Sequence, residues 1–141
     1  MKKISISSDQ APKAAGFFSQ AILTSCDFRL ELSGQIGLDP KSGKIVEGGI
    51  AEQTEQIFNN LEGILSELGW TFCNINKVRI FLVSMDDYQA MNEVYSKRFT
   101  DTPPARVAVA VKELPLGALV EMECTAEGNT MSDEAKKKYK I

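Results

Sequence analysis

Two stretches in the last third of the chain alternate strictly, Arg106 to Lys112 ("RVAVAVK") and Leu119 to Glu127 ("LVEMECTAE"). Successive side chains on a strand point to opposite faces, so both stretches must be strands of a sheet whose two faces differ. Val107, Val109 and Val111 fall on one face of the first strand, and Arg106, Ala108 and Ala110 on the other. In the second, Val120, Met122, Cys124 and Ala126 share a face, with Glu121, Glu123 and Thr125 opposite. The valines are the expected helix-covered face. If "KELPLG" is the turn joining these strands as neighbours, Arg106 and Glu121 share the other face, at roughly 5 to 8 Å between Cβ atoms on the two closest registers that parity allows. Small alanines beside such a pair leave room for a small molecule bearing a carboxylate. The plainer alternative is a solvated cross-strand ion pair worth about 0 to 1 kcal/mol.

The rest of the chain supplies the partners. "KISI" predicts a short first strand, and Phe18 to Thr24 a second that forms a hairpin with the alternating "FRLELSGQI". "LDPKSGKI" carries Asp-Pro and Ser-Gly turn signals. Ile57, Leu61, Ile64, Leu65 and Leu68 recur at helical spacing within residues 50–68, and Gly69 follows as a stop. "KVRIFLVSM" reads as a buried strand, and "DDYQAMNEVYSKRF" as a second helix with acidic residues in its first turn, ended by Thr102, Pro103 and Pro104. The order predicts an α+β domain over residues 1–128: a six-stranded mixed sheet with two helices packed on one face. Residues 129–141, with the lysine-rich "MSDEAKKKYKI", read as a charged, solvated tail, with a helix packing on a neighbour as the alternative.

Composition narrows the chemistry. The 141 residues contain no histidine, which removes the usual general base near neutral pH and the commonest nitrogen ligand for metals. Carboxylates, hydroxyls, backbone groups and arginine are left, and no metal or organic cofactor is implied. A formal net charge of −3 offers no field for phosphate backbones, so nucleic acid is not an expected partner. Cys26, Cys73 and Cys124 form no CxxC pair and are expected as reduced, buried thiols. With no apolar run of membrane-spanning length, no membrane is expected as a partner, and a cytoplasmic location is.

"AAGFFSQA", "LSGQIGLDPKSGKI", "FLVSMDDYQAMNEVY", "PPARVAVAVKELP" and "VEMECTA", in that order and at those separations, resemble the RidA/YjgF family of imine deaminases from about Ala11 to Ala126. The resemblance implies a chorismate mutase-like fold assembled as a homotrimeric barrel, with a small-molecule site in each cleft between subunits. It implies that Arg106 of "PAR" grips a substrate carboxylate and that Glu121 orients water at an imine carbon. Ser33 and Gly34 of "SGQI", Asn92 of "AMNEVY", Phe18 and Ala108 match positions that line the pocket. Structural alternatives remain for Ser33 as a strand-end polar residue, Gly34 as a bulge and Asn92 as an exposed helix residue. Two departures stand out: many members carry "GPY" where this chain has "GFF", so the hydroxyl of a pocket tyrosine is missing at Phe18, and many carry cysteine at Ala108. The implied activity is hydrolysis of short 2-imino acids to 2-keto acids and ammonia. A non-catalytic metabolite-binding trimer is the main alternative, and a ribonuclease or translation inhibitor a weaker one.

Overall fold

The computed structural model describes residues 1–141. Six strands and three α-helices follow one another as β1 (Lys2–Ile6), β2 (Ala21–Ser25), β3 (Phe28–Ile36), α1 (Ile50–Ser66), β4 (Ile75–Leu82), α2 (Tyr88–Arg98), β5 (Ala105–Ala110), β6 (Val120–Gly128) and α3 (Asp133–Tyr139). The strands form two sheets instead of the single six-stranded sheet expected. One is four-stranded in the order β3-β6-β4-β5, and the other is the pair β1-β2.

The expected hairpin between β2 and β3 does not form. β2 pairs antiparallel with β1, from Lys2 opposite Ser25 to Ile6 opposite Ala21. Only Cys26 and Asp27 separate β2 from β3, and without glycine or asparagine that link is poorly suited to the left-handed turns a two-residue hairpin needs.

The inner strands are β6 and β4, and β4 separates β6 from β5. Strand β4 pairs parallel with β5, through the crossover helix α2, and antiparallel with β6. β5 and β6 are therefore not neighbours, and "KELPLG" belongs to a connection that passes β4 instead of closing a hairpin. Val78, Ile80 and Leu82 of β4 are fully buried under the helices, and their direct partners on β5 are Arg106, Ala108 and Ala110. That parity inverts the face expected for β5: Arg106 and Ala108 lie on the helix side, while Val107 and Val109 point to the open side and are 41% and 42% exposed. Alanine opposite α2 makes physical sense, because small side chains let the large rings of that helix approach the sheet.

Both α1 and α2 lie on one face. Ile57, Phe58, Leu61 and Leu65 of α1 and Met91 and Tyr95 of α2 are buried against Val120, Met122 and Cys124 of β6. Each such burial contributes about 1.5 to 3 kcal/mol. Phe58, Phe72, Tyr95 and Phe99 meet largely edge to face, with ring centroids 4.7 to 6.1 Å apart, a geometry that adds about 0.5 to 1.5 kcal/mol per pair. At the start of α1 the Glu52 carboxylate accepts from the Gly49 N–H at 2.8 Å, closing a capping arrangement. Beyond its end Gly69 takes φ +72°, as the sequence predicts for a helix stop. α2 begins later than expected, because residues 85–87 make a 3-10 turn whose Ser84 hydroxyl accepts from the Asp86 N–H.

The C-terminal segment is not a solvated tail. Met131 and Ala135 are buried, the Trp70 indole donates to the Thr130 carbonyl at 2.7 Å, and Glu67 accepts from both Lys138 and Tyr139. These contacts hold α3 against the end of α1 and roof a cleft of about 440 Å³ lined by Phe28, Leu30, Trp70, Met131, Tyr139 and Ile141. The three cysteines are free, yet only Cys124 is buried and Cys73 is exposed. Burial pushes the Cys124 thiol up to about 12, which leaves it an inert core side chain. No helix is long and apolar enough to cross a membrane.

Candidate functional site

Arg106 sits near the start of β5, just after Pro103 and Pro104, whose fixed φ stiffens the approach. Those prolines also anchor the N-terminal segment, since the Ser19 hydroxyl donates to the Pro103 carbonyl at 2.6 Å and the Ser19 N–H to the Pro104 carbonyl at 3.2 Å. The clamp carries Phe18 to Arg106, with the guanidinium carbon 5.5 Å from its ring centroid. Gly16 closes the same corner; a Cβ there would lie 3.3 Å from Arg106 Nη2.

Helix α2 supplies the rest. Tyr88, Asn92 and Tyr95 are spaced i, i+4 and i+7, so they share one helix face. Arg106 donates from Nη1 to Asn92 Oδ1 at 2.6 Å and from Nη2 to the Tyr88 hydroxyl at 2.5 Å. Its guanidinium carbon is 5.5 Å from the Tyr88 ring centroid and 4.8 Å from that of Tyr95. Three rings and two acceptors therefore fix the plane of one half-buried cation. No carboxylate of the chain pairs with it, which removes the ion-pair alternative. Burial raises the Tyr95 phenol above the ordinary tyrosine value, the Arg106 charge opposing that shift, and its hydroxyl finds no partner.

Glu121 lies elsewhere. On β4, Val78 faces Arg106 and Phe81 faces Glu121. Residues three apart on a strand point to opposite sides, so Glu121 is on the open face of the sheet and Arg106 is on the helix face. The expected side-by-side pairing of the two within one chain is thus corrected, and the cause is β4 lying between their strands. Glu121 lies against the bulge of β3, where the pairing with β6 shifts between Leu32 and Gln35. Ser33 and Gly34 are the exposed residues of that bulge. A Cβ on Gly34 would come within 2.2 Å of Glu121 Oε1, so glycine here lets the carboxylate cross the backbone. The Glu121 carboxylate makes no ion pair.

The candidate residues therefore form two groups. Phe18, Asn92 and Arg106 come together, with Ala108 two residues along the same face of β5. Ser33, Gly34 and Glu121 come together on the other face. Tyr88, Tyr95 and Gly16 were not anticipated beside Arg106, although the helical spacing of Tyr88, Asn92 and Tyr95 was a usable signal. The first group is an arginine fixed by two hydrogen bonds and three rings; the second is a carboxylate with no ion pair beside an exposed backbone bulge.

Comparison with known proteins agrees with this architecture. The family model described as Endoribonuclease L-PSP matches residues 8–128. A RutC family protein of Pyrococcus horikoshii is 44% identical over 126 residues, 89% of this chain and 98% of that protein. The human 2-iminobutanoate/2-iminopropanoate deaminase is 41% identical over 121 residues, 86% of this chain and 87% of that protein. The crystal structure of RidA from an Antarctic Psychrobacter species is 34% identical with a TM-score of 0.68, covering 88% of this chain and 98% of its own. The "PAR", "SGQI" and "VEMEC" elements thus sit in a chain whose sequence and fold agree over nearly their whole length with those relatives, and the chain belongs to the RidA/YjgF family.

Proposed function

We propose that this protein hydrolyses short 2-imino acids, of the size of 2-iminopropanoate (and its enamine tautomer 2-aminoacrylate) and 2-iminobutanoate, to 2-keto acids and ammonia, in clefts between the subunits of a homotrimer. The observation that carries the reading is Arg106: a guanidinium held in a fixed plane by Asn92, Tyr88 and three rings, with no carboxylate of its own chain on it. A planar fork of this kind suits a carboxylate better than a point charge does. The human deaminase of similar sequence supports the substrate class.

The chemistry needs a water and a base. Glu121 takes a proton from water as its oxygen bonds to the imine carbon, and the C=N electron pair moves onto nitrogen, which is protonated. Glu121 returns that proton to the nitrogen, and the resulting carbinolamine loses ammonia as its hydroxyl proton passes to the amino nitrogen and the C=O bond forms, so one water is consumed for each ammonia released. A carboxylate performs this proton transfer without histidine, and the open backbone of Ser33 and Gly34 lets the substrate approach closely. Because Arg106 and Glu121 face opposite ways in one chain, the complete cleft combines Arg106 of one subunit with Ser33, Gly34 and Glu121 of its neighbour. Holding the carboxylate and the water in one cleft supplies proximity, and fixed charge supplies the remainder.

Turnover tests the reading. Purified protein is added to a threonine dehydratase reaction in which semicarbazide competes for the imine, and 2-oxobutanoate release is followed. Faster keto acid formation with less semicarbazone is the expected result. An unchanged partition, with 2-oxobutanoate still bound, would instead identify a metabolite-binding trimer.

A further inference from the structure

We propose that Tyr88 is a substrate-binding residue, its hydroxyl accepting from Arg106 and donating to the carboxylate that Arg106 holds. The inference rests on the reading of Arg106 as the carboxylate-binding group. The Tyr88 oxygen accepts from Arg106 Nη2 at 2.5 Å, and its own proton has no acceptor in the chain. A phenol that accepts from a cation is polarised and becomes a better donor. That proton is therefore available to an anion held by the same guanidinium.

The arrangement is directional. Asn92 takes one Nη1 proton and Tyr88 one Nη2 proton, which leaves three of the five guanidinium donors for a ligand. Asn92 satisfies the cation from its amide oxygen and turns only further donors outward. Tyr88 accepts from the arginine at Nη2 and keeps a hydroxyl proton to donate onward. Phe18, at the same 5.5 Å from the guanidinium carbon, contributes a ring and no hydroxyl. Tyr88 is thus the aromatic neighbour at this corner with a hydroxyl both bonded to Arg106 and free to donate, since the Tyr95 oxygen is buried without a partner.

Tyr88 stands at the first position of α2 and is half-buried, so Tyr88→Phe removes one oxygen and keeps the ring and the helix. The protein carrying that change is compared with the native one on two probes, 2-oxobutanoate and the uncharged 2-oxobutanamide, by calorimetric titration, alongside imine turnover and thermal midpoint. The expected result is an affinity loss of about tenfold for the acid and less than about twofold for the amide, as for loss of a hydrogen bond to a charged group. KM for the imine rises by about the same tenfold while kcat stays within about twofold, because the bond is made equally in ground and transition states. Equal losses on both probes, with a lowered midpoint, would reduce the hydroxyl to a fold contact and overturn the proposal. Unchanged acid binding would overturn it as well. If the native protein binds 2-oxobutanoate but turns over no imine, the deaminase reading fails and Tyr88 is judged by the acid-to-amide ratio alone. If it binds no keto acid at about 10 mM, Tyr88 is judged by the imine KM alone, and an unchanged KM in Tyr88→Phe overturns the proposal.

Discussion

A guanidinium has five N–H donors, and Arg106 commits two of them to Asn92 and Tyr88. What the side chain does next depends on its shape. Arg106→Lys keeps one positive charge at that corner and loses the fork, so it should leave the fold intact, with a thermal midpoint within a few degrees of native, and lower imine turnover by about a hundredfold or more. Arg106→Ala should lower it further. Keto acid release and melting curves on both variants check this, and near-native turnover in Arg106→Ala would remove Arg106 from the site. At this scale the family resemblance groups Arg106, Phe18 and Asn92, which the structure brings into contact, while the alternation of β5 and β6 alone pairs Arg106 with Glu121, which lie on opposite faces. Tyr88 was not expected, although its i, i+4 spacing to Asn92 on the predicted helix puts the two on one face; that this face meets Arg106 follows from the parity of β5, which hydrophobicity alone inverts.

Among the elements, the bulge of β3 offers the sharpest test. Gly34 has no unusual φ, so alanine fits its backbone, but a Cβ would collide with the end of the flexible Glu121 side chain at 2.2 Å. The carboxylate moves more easily than the strand does. Gly34→Ala should therefore change stability by less than about 1 kcal/mol while lowering kcat by about tenfold or more, since a base displaced by about 1 Å loses its alignment with water. Denaturant unfolding together with steady-state kinetics reads both. Element identity was legible here because each period was long enough to see: α1 over four turns, β3 and β6 over nine residues each. Pairing was not. Nothing in "KELPLG" reveals that β4 lies between β5 and β6, and hydrophobicity alone put the valines of β5 under the helices, where the rings of α2 need alanine. The segment after Gly128 was misread for a related reason: its four lysines between residues 136 and 140 mask Met131 and Ala135, the two apolar residues that dock it.

For the whole molecule, the open face is the unfinished surface. Val107 and Val109 are exposed there beside the half-buried Phe81, and an apolar strip of this kind on a sheet is what association between copies covers. Light scattering at micromolar concentration should give about three times the mass of the 15.5 kDa chain. Val109→Asp, which sets a charge in that strip, should give the single-chain mass and no imine turnover; a monomeric native protein with full turnover would exclude the shared cleft. The opposite facing of Arg106 and Glu121 also has a genetic meaning. A cell carrying one allele altered at Arg106 and another altered at Glu121 would make mixed assemblies in which an intact arginine from one product meets an intact glutamate from the other. Two separately inactive alleles would complement each other when expressed together, and neither would do so with a second copy of itself.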